Sequence, residues 1–96
     1  MSQEVRITSQ TSIPLKPLVQ SALRTEVRLL EIGLARTRER LRQFEQRYGI
    51  SSEEFEKRFR SGELGDALDF IEWAGELELY RLLQAQREAL LGAELR

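Results

Sequence analysis

The sequence predicts an all-α fold in which a long helix, a short helix and a third helix form a helical hairpin behind a short N-terminal strand. Three features predict it. Leu23, Val27, Leu30, Leu34, Thr37, Leu41, Phe44 and Tyr48 alternate spacings of four and three, the heptad of a helix with one apolar seam. A helix stop and a helix start follow one another between Gly49 and Phe55. A composition of 41% hydrophobic and 32% charged residues suits amphipathic helices whose outer faces stay in water.

Glu4, Val5, Arg6, Ile7 and Thr8 alternate polar and apolar, a strand signal. One strand alone is not stable. A twin would come most simply from a second subunit, and a frayed tail accounts for the same residues. Residues 1–13 are therefore read as a strand or arm, and residues 14–96 as the helical domain. Thr11, Ser12, Pro14 and Pro17 break the chain. A proline fits the first turn of a helix, where a missing N–H costs nothing, so the long helix should begin between Pro14 and Leu18. It should run to Tyr48, on the order of 45 Å. Gly33 inside it costs about 1 kcal/mol relative to alanine, which calls for a close neighbour or a bend. A second apolar row, Val19, Ala22, Leu29 and Ile32, predicts burial of the first half on two sides.

Gly49 supplies a left-handed stop. Ser51 should cap the next helix with Glu54 completing the capping box, while Ile50 and Phe55 occupy the staple positions. Phe55 and Phe59 lie one turn apart, and Gly62 should end this helix. Asp66 is the expected cap of the third helix, with Asp69 near its positive end. That helix should run from Ala67 to Leu91, with Phe70, Trp73, Ala74, Leu77 and Tyr80 on one face. Beyond Tyr80, Leu79, Leu82, Leu83, Leu90 and Leu91 spread around the circumference, as on a helix end set between two neighbours.

The heptad requires a facing helix from this chain or a second copy. The expectation is a homodimer through Leu23, Val27, Leu30, Leu34, Leu41 and Phe44, although a self-packed hairpin satisfies the same seam. A chain of this size has a thin core, which association would relieve.

There is no cysteine and no histidine, so disulfides, thiolate metal sites and the usual general base are excluded. No run approaches the ~18 apolar residues of a membrane span, and the N-terminus lacks a signal peptide's pattern. The chain is read as cytoplasmic, without membrane contact, cofactor, bound metal or small-molecule substrate. Net charge is −1, yet residues 1–50 carry nine basic and five acidic side chains while residues 51–96 carry six and eleven. Between Ser61 and Tyr80 lie Glu63, Asp66, Asp69, Glu72, Glu76 and Glu78 and no base. Two halves folding onto each other with complementary fields is one reading; an acidic face awaiting a basic partner is the other. Asp69, Glu72 and Glu76 have spacings that could hold a hard cation, but acids early in a helix also favour its dipole. Arg36, Arg38, Arg40 and Arg42 alternate, so they form no single stripe. They solvate the exterior, or Arg36 and Arg40 contact phosphate together with an N-terminal strand bearing Arg6 in a DNA groove.

The block Phe44-Glu45-Gln46-Arg47-Tyr48-Gly49-Ile50-Ser51-Ser52-Glu53-Glu54-Phe55, then Ser61-Gly62-Glu63-Leu64-Gly65-Asp66, then Asp69-Phe70-Ile71-Glu72-Trp73-Ala74, resembles a family of small, mostly uncharacterised bacterial and archaeal proteins. Its members have an N-terminal strand, a long helix and this FE-x-x-YG-x-SSEEF…GELGD…DF-x-EW signature, and they are often encoded beside toxin-like genes. The likeness covers residues 40–80 closely. It implies a non-enzymatic, antitoxin-like interaction protein that binds and masks a toxin-like partner. Glu63, Asp69, Glu72, Glu76, Tyr80 and Leu83 are the expected contact residues. A DNA-binding regulator using Arg6, Arg36 and Arg40 is the alternative.

Overall fold

The structure, a computed structural model, describes residues 3–8, 10 and 12–95. Its elements in chain order are β1 (Gln3–Val5), α1 (Leu15–Tyr48), α2 (Ser52–Arg60), α3 (Leu68–Leu91) and β2 (Ala93–Leu95). The all-α reading is correct, with the bounds of α1 and α2 falling where the sequence signals place them. Thr11, part of the breaker cluster, lies outside the described residues.

Pro14 precedes α1 with φ −62° and ψ 109°, and Pro17 sits in its first turn. At the far end Gly49 takes φ 72°, and its N–H closes onto the Glu45 carbonyl at 2.8 Å. Ser51 Oγ accepts from the Glu54 N–H at 3.1 Å, so the cap forms. The other half of the box does not, because the Glu54 carboxylate turns to Arg58 at 3.0 Å. Separately, the first-turn N–H of Ser52 donates to the Glu45 carboxylate of α1 at 2.8 Å. The end of α2 is a Schellman motif: the Gly62 N–H donates to Phe59 O at 3.2 Å and the Glu63 N–H to Arg58 O at 3.1 Å. Gly62 carries the required positive φ of 84°. The third helix corrects an expectation: Ala67, not Asp66, is its N-cap, and no side chain caps it. Phe70 and Ile71 N–H groups reach the Ala67 carbonyl.

The numbers of facing residues run in opposite directions, so α1 and α3 are antiparallel. Phe44 stacks on Trp73. Arg40 meets Glu76 at 3.1 Å. Gly33 faces Leu83, and Arg87 reaches Glu31. The heptad seam is therefore filled within the chain, which corrects its assignment to a dimer. Leu30, Leu34, Thr37 and Leu41 are buried, and Phe44 packs on the cluster of Leu41, Phe55, Trp73 and Leu77. Leu23 and Val27 line a cleft with Leu90 and Leu91. Thr37, the one polar seam residue buried, donates its hydroxyl to the Gly33 carbonyl at 2.8 Å. The close neighbour that Gly33 called for is Leu83, whose Cδ1 would lie 3.3 Å from a Cβ placed there.

The N-terminal strand is shorter than its sequence signal and finds its partner in the same chain. It pairs in parallel with β2, Gln3 opposite Ala93 and Val5 opposite Leu95. The second apolar row is not buried. Leu29 is 57% exposed and Ile32 is 61% exposed. One hairpin with a short third helix has too few layers to cover both sides of α1. The molecule is a rod of 60 × 22 × 18 Å.

Candidate interaction surface

Trp73 anchors one end of the rod. Its ring lies parallel to Phe55 at 3.9 Å between centroids and to Phe44 at 5.5 Å, and both Trp73 and Phe55 are fully buried. Trp73 Nε1 donates to Ser52 Oγ at 3.0 Å. Among the described residues, no buried side-chain nitrogen or oxygen lacks a partner. The short helix is thereby held across one side of the hairpin, and the Arg81 guanidinium grips Glu56 from α3 at 3.0 Å.

The complementary charges of the two halves meet in part inside the chain. Asp69 accepts from Arg47 at 3.0 Å and also from the Tyr48 hydroxyl. The Tyr48 hydrogen bond, then that of Arg47, holds the Asp69 carboxyl below the usual carboxylate range. The same bond to Asp69, with some burial, pushes the Tyr48 phenol above its ordinary value. Glu56 is held down chiefly by its hydrogen bond to Arg81. Arg40 and Glu76 form a further pair.

Of the six expected contact residues, these arrangements engage four. Asp69 and Glu76 are ion-paired. Tyr80 accepts from Arg38 at 3.1 Å while that guanidinium lies 5.6 Å over its ring. Leu83 is half-buried against Gly33. Glu63 and Glu72 remain exposed, and among the described residues they make no ion pair, nor do Asp66 and Glu78. Glu72 borders a shallow cleft of about 170 Å³ with Arg40, Gln43, Phe44, Arg47 and Asp69. Of the arginines proposed for phosphate, Arg6 and Arg36 are exposed and Arg40 is tied to Glu76. No three histidine, cysteine, aspartate or glutamate side chains among the described residues converge as a metal site. No described helix is long and apolar enough to cross a membrane.

Two apolar areas stay uncovered. Near the α2–α3 connection, Leu68 is 69% exposed and Ile71 is 52% exposed, set among Glu63, Asp66 and Glu72. Toward the other end, Leu29 and Ile32 of α1 and Leu79 and Leu82 of α3 are exposed. Sequence reasoning assigned the α1 row with Leu29 and Ile32 to the interior, read Leu79 and Leu82 as spread around the end of the third helix, and did not single out Leu68 or Ile71. It missed the Ser52–Trp73 bond, since Ser52 beside a capping serine reads as part of the cap. No family model, curated protein or solved structure matches the chain.

Proposed function

We propose that this chain is a non-enzymatic, homodimeric protein-interaction module, antitoxin-like and cytoplasmic, that binds and masks a toxin partner. The observation supporting this reading is the acid-flanked apolar patch at the α2–α3 end of the rod. Leu68 and Ile71 supply area that gains from leaving water. Glu63, Asp66 and Glu72, close to it in the chain, are exposed and form no ion pair among the described residues. A toxin acting on RNA needs a basic surface, and an acidic patch steers toward such a surface and competes for it. The contact set moves accordingly, from Asp69, Glu76, Tyr80 and Leu83, which are engaged internally, to Glu63, Leu68, Ile71 and Glu72. DNA binding is the weaker alternative, because Arg40 already spends its charge on Glu76.

Co-expression with the product of the adjacent gene tests the reading. The two should co-purify, and growth arrest by the partner should be relieved. Ile71→Glu and the Glu63→Lys, Glu72→Lys double variant should lose both effects while keeping their helical circular dichroism. Unchanged capture and unchanged rescue by all these variants, or no capture by the unaltered chain, would sink the idea.

A further inference from the structure

The hairpin has two broad sides, and only one is covered. The covered side carries α2, fixed through Trp73 and the Arg81–Glu56 pair. At about 100° per residue, Leu29, Ile32 and Gly33 turn to the other side of α1, and Leu79, Leu82 and Leu83 turn to the same side of α3. The contact of Gly33 with Leu83 joins the two rows in the middle. The result is an exposed apolar row on each helix of the uncovered hairpin, with Ile32 61% and Leu82 53% exposed.

We infer that this face receives a second copy of the chain, forming a four-helix bundle in which α1 of each copy lies over α3 of the other. The area argues for it. A compact monomer of 11.2 kDa exposes about 5,700 Å², whereas this chain exposes 7329 Å². The excess, roughly 1,600 Å², is what one subunit of an obligate homodimer buries. The radius of gyration, 18.7 Å, likewise exceeds the roughly 12.5 Å of a compact domain of this length. Charge argues for the same occupant and for its orientation. α1 holds eight basic and four acidic side chains, α3 two basic and five acidic, so crossing them between copies sets unlike fields together. A net charge of −1 opposes self-association little.

Self-association of this kind belongs to the homodimeric part of the proposed function and needs no toxin, so a mass measurement and a co-purification fail independently. Sedimentation equilibrium of the full chain at high micromolar concentration should give twice the chain mass of 11.2 kDa. Ile32→Glu and Leu82→Glu should each return the single-chain mass with helical circular dichroism retained, since both side chains are exposed within one chain. Leu68→Glu, at the other end of the rod, should stay dimeric. A single-chain mass for the unaltered protein would assign the face to a different partner and overturn the inference. Dimers persisting in both Ile32→Glu and Leu82→Glu would overturn it equally, by placing self-association elsewhere.

Discussion

The indole nitrogen of Trp73 donates to Ser52 Oγ at 3.0 Å, with both residues out of solvent. This bond fixes the first turn of α2 to the second turn of α3 and satisfies the polar atom of the largest buried side chain. Serine and tryptophan lie 21 residues apart, so the contact also closes the connection between the two helices.

Ser52→Ala should therefore leave the indole N–H buried without an acceptor and cost about 1–3 kcal/mol. The measurement is the urea midpoint at unchanged slope. Trp73→Phe combined with Ser52→Ala should cost less than the sum of the two single changes, because the orphaned donor is then gone. Strict additivity would mean that the bond contributes nothing.

Asp69 links stability to pH from two sides. Its carboxyl sits below the ordinary range, first through the Tyr48 hydroxyl and then through Arg47. That contribution is present above the ordinary carboxylate value near pH 4 and is lost as pH falls through the depressed folded-state value. The Tyr48 phenol is raised, chiefly by the same bond. Its contribution is present below about pH 10 and is lost as pH rises through the raised value. Asp69→Asn should bring the Tyr48 titration back toward that of a free phenol, read by ultraviolet absorbance in a Tyr80→Phe background. It should also flatten the acid limb of the stability curve in part, leaving the limb owed to Glu56 and Arg81.

Two glycines sit inside helices with different surroundings. Nothing lies within 4 Å of a Cβ at Gly75, so Gly75→Ala should stabilise by about 1 kcal/mol through helix propensity alone. At Gly33 the same methyl would meet Leu83 Cδ1 at 3.3 Å. Leu83 can give by a few tenths of an ångström, so Gly33→Ala should gain less than Gly75→Ala. Thermal midpoints of the two variants, compared at equal protein concentration, check the ranking.

Much of the fold was legible because its signals are local. The stop at Gly49, the cap at Ser51 and the heptad from Leu23 to Tyr48 each depend on backbone geometry within a few residues. Most of the failures are non-local. A heptad states that a seam must be covered and is silent on what covers it, so Leu30, Leu34 and Leu41 read equally well as a dimer contact. Glu54 had a local partner in the Ser51 N–H and a better one in the Arg58 guanidinium. Asp69, Glu76 and Tyr80 read as an open surface because the arginines that occupy them lie on another helix.

By itself the sequence determined three helices, where the first two begin and end, and which stripe of the first must leave water, since propensity, capping and periodicity act over one or two turns. Only tertiary structure decided that α3 covers that stripe, that arginines of α1 pair with two of the six acids in the run, and that Leu29, Ile32, Leu79 and Leu82 are left bare. Those outcomes depend on how many layers a chain of 96 residues can stack. One hairpin and one short helix cover a single side of the rod.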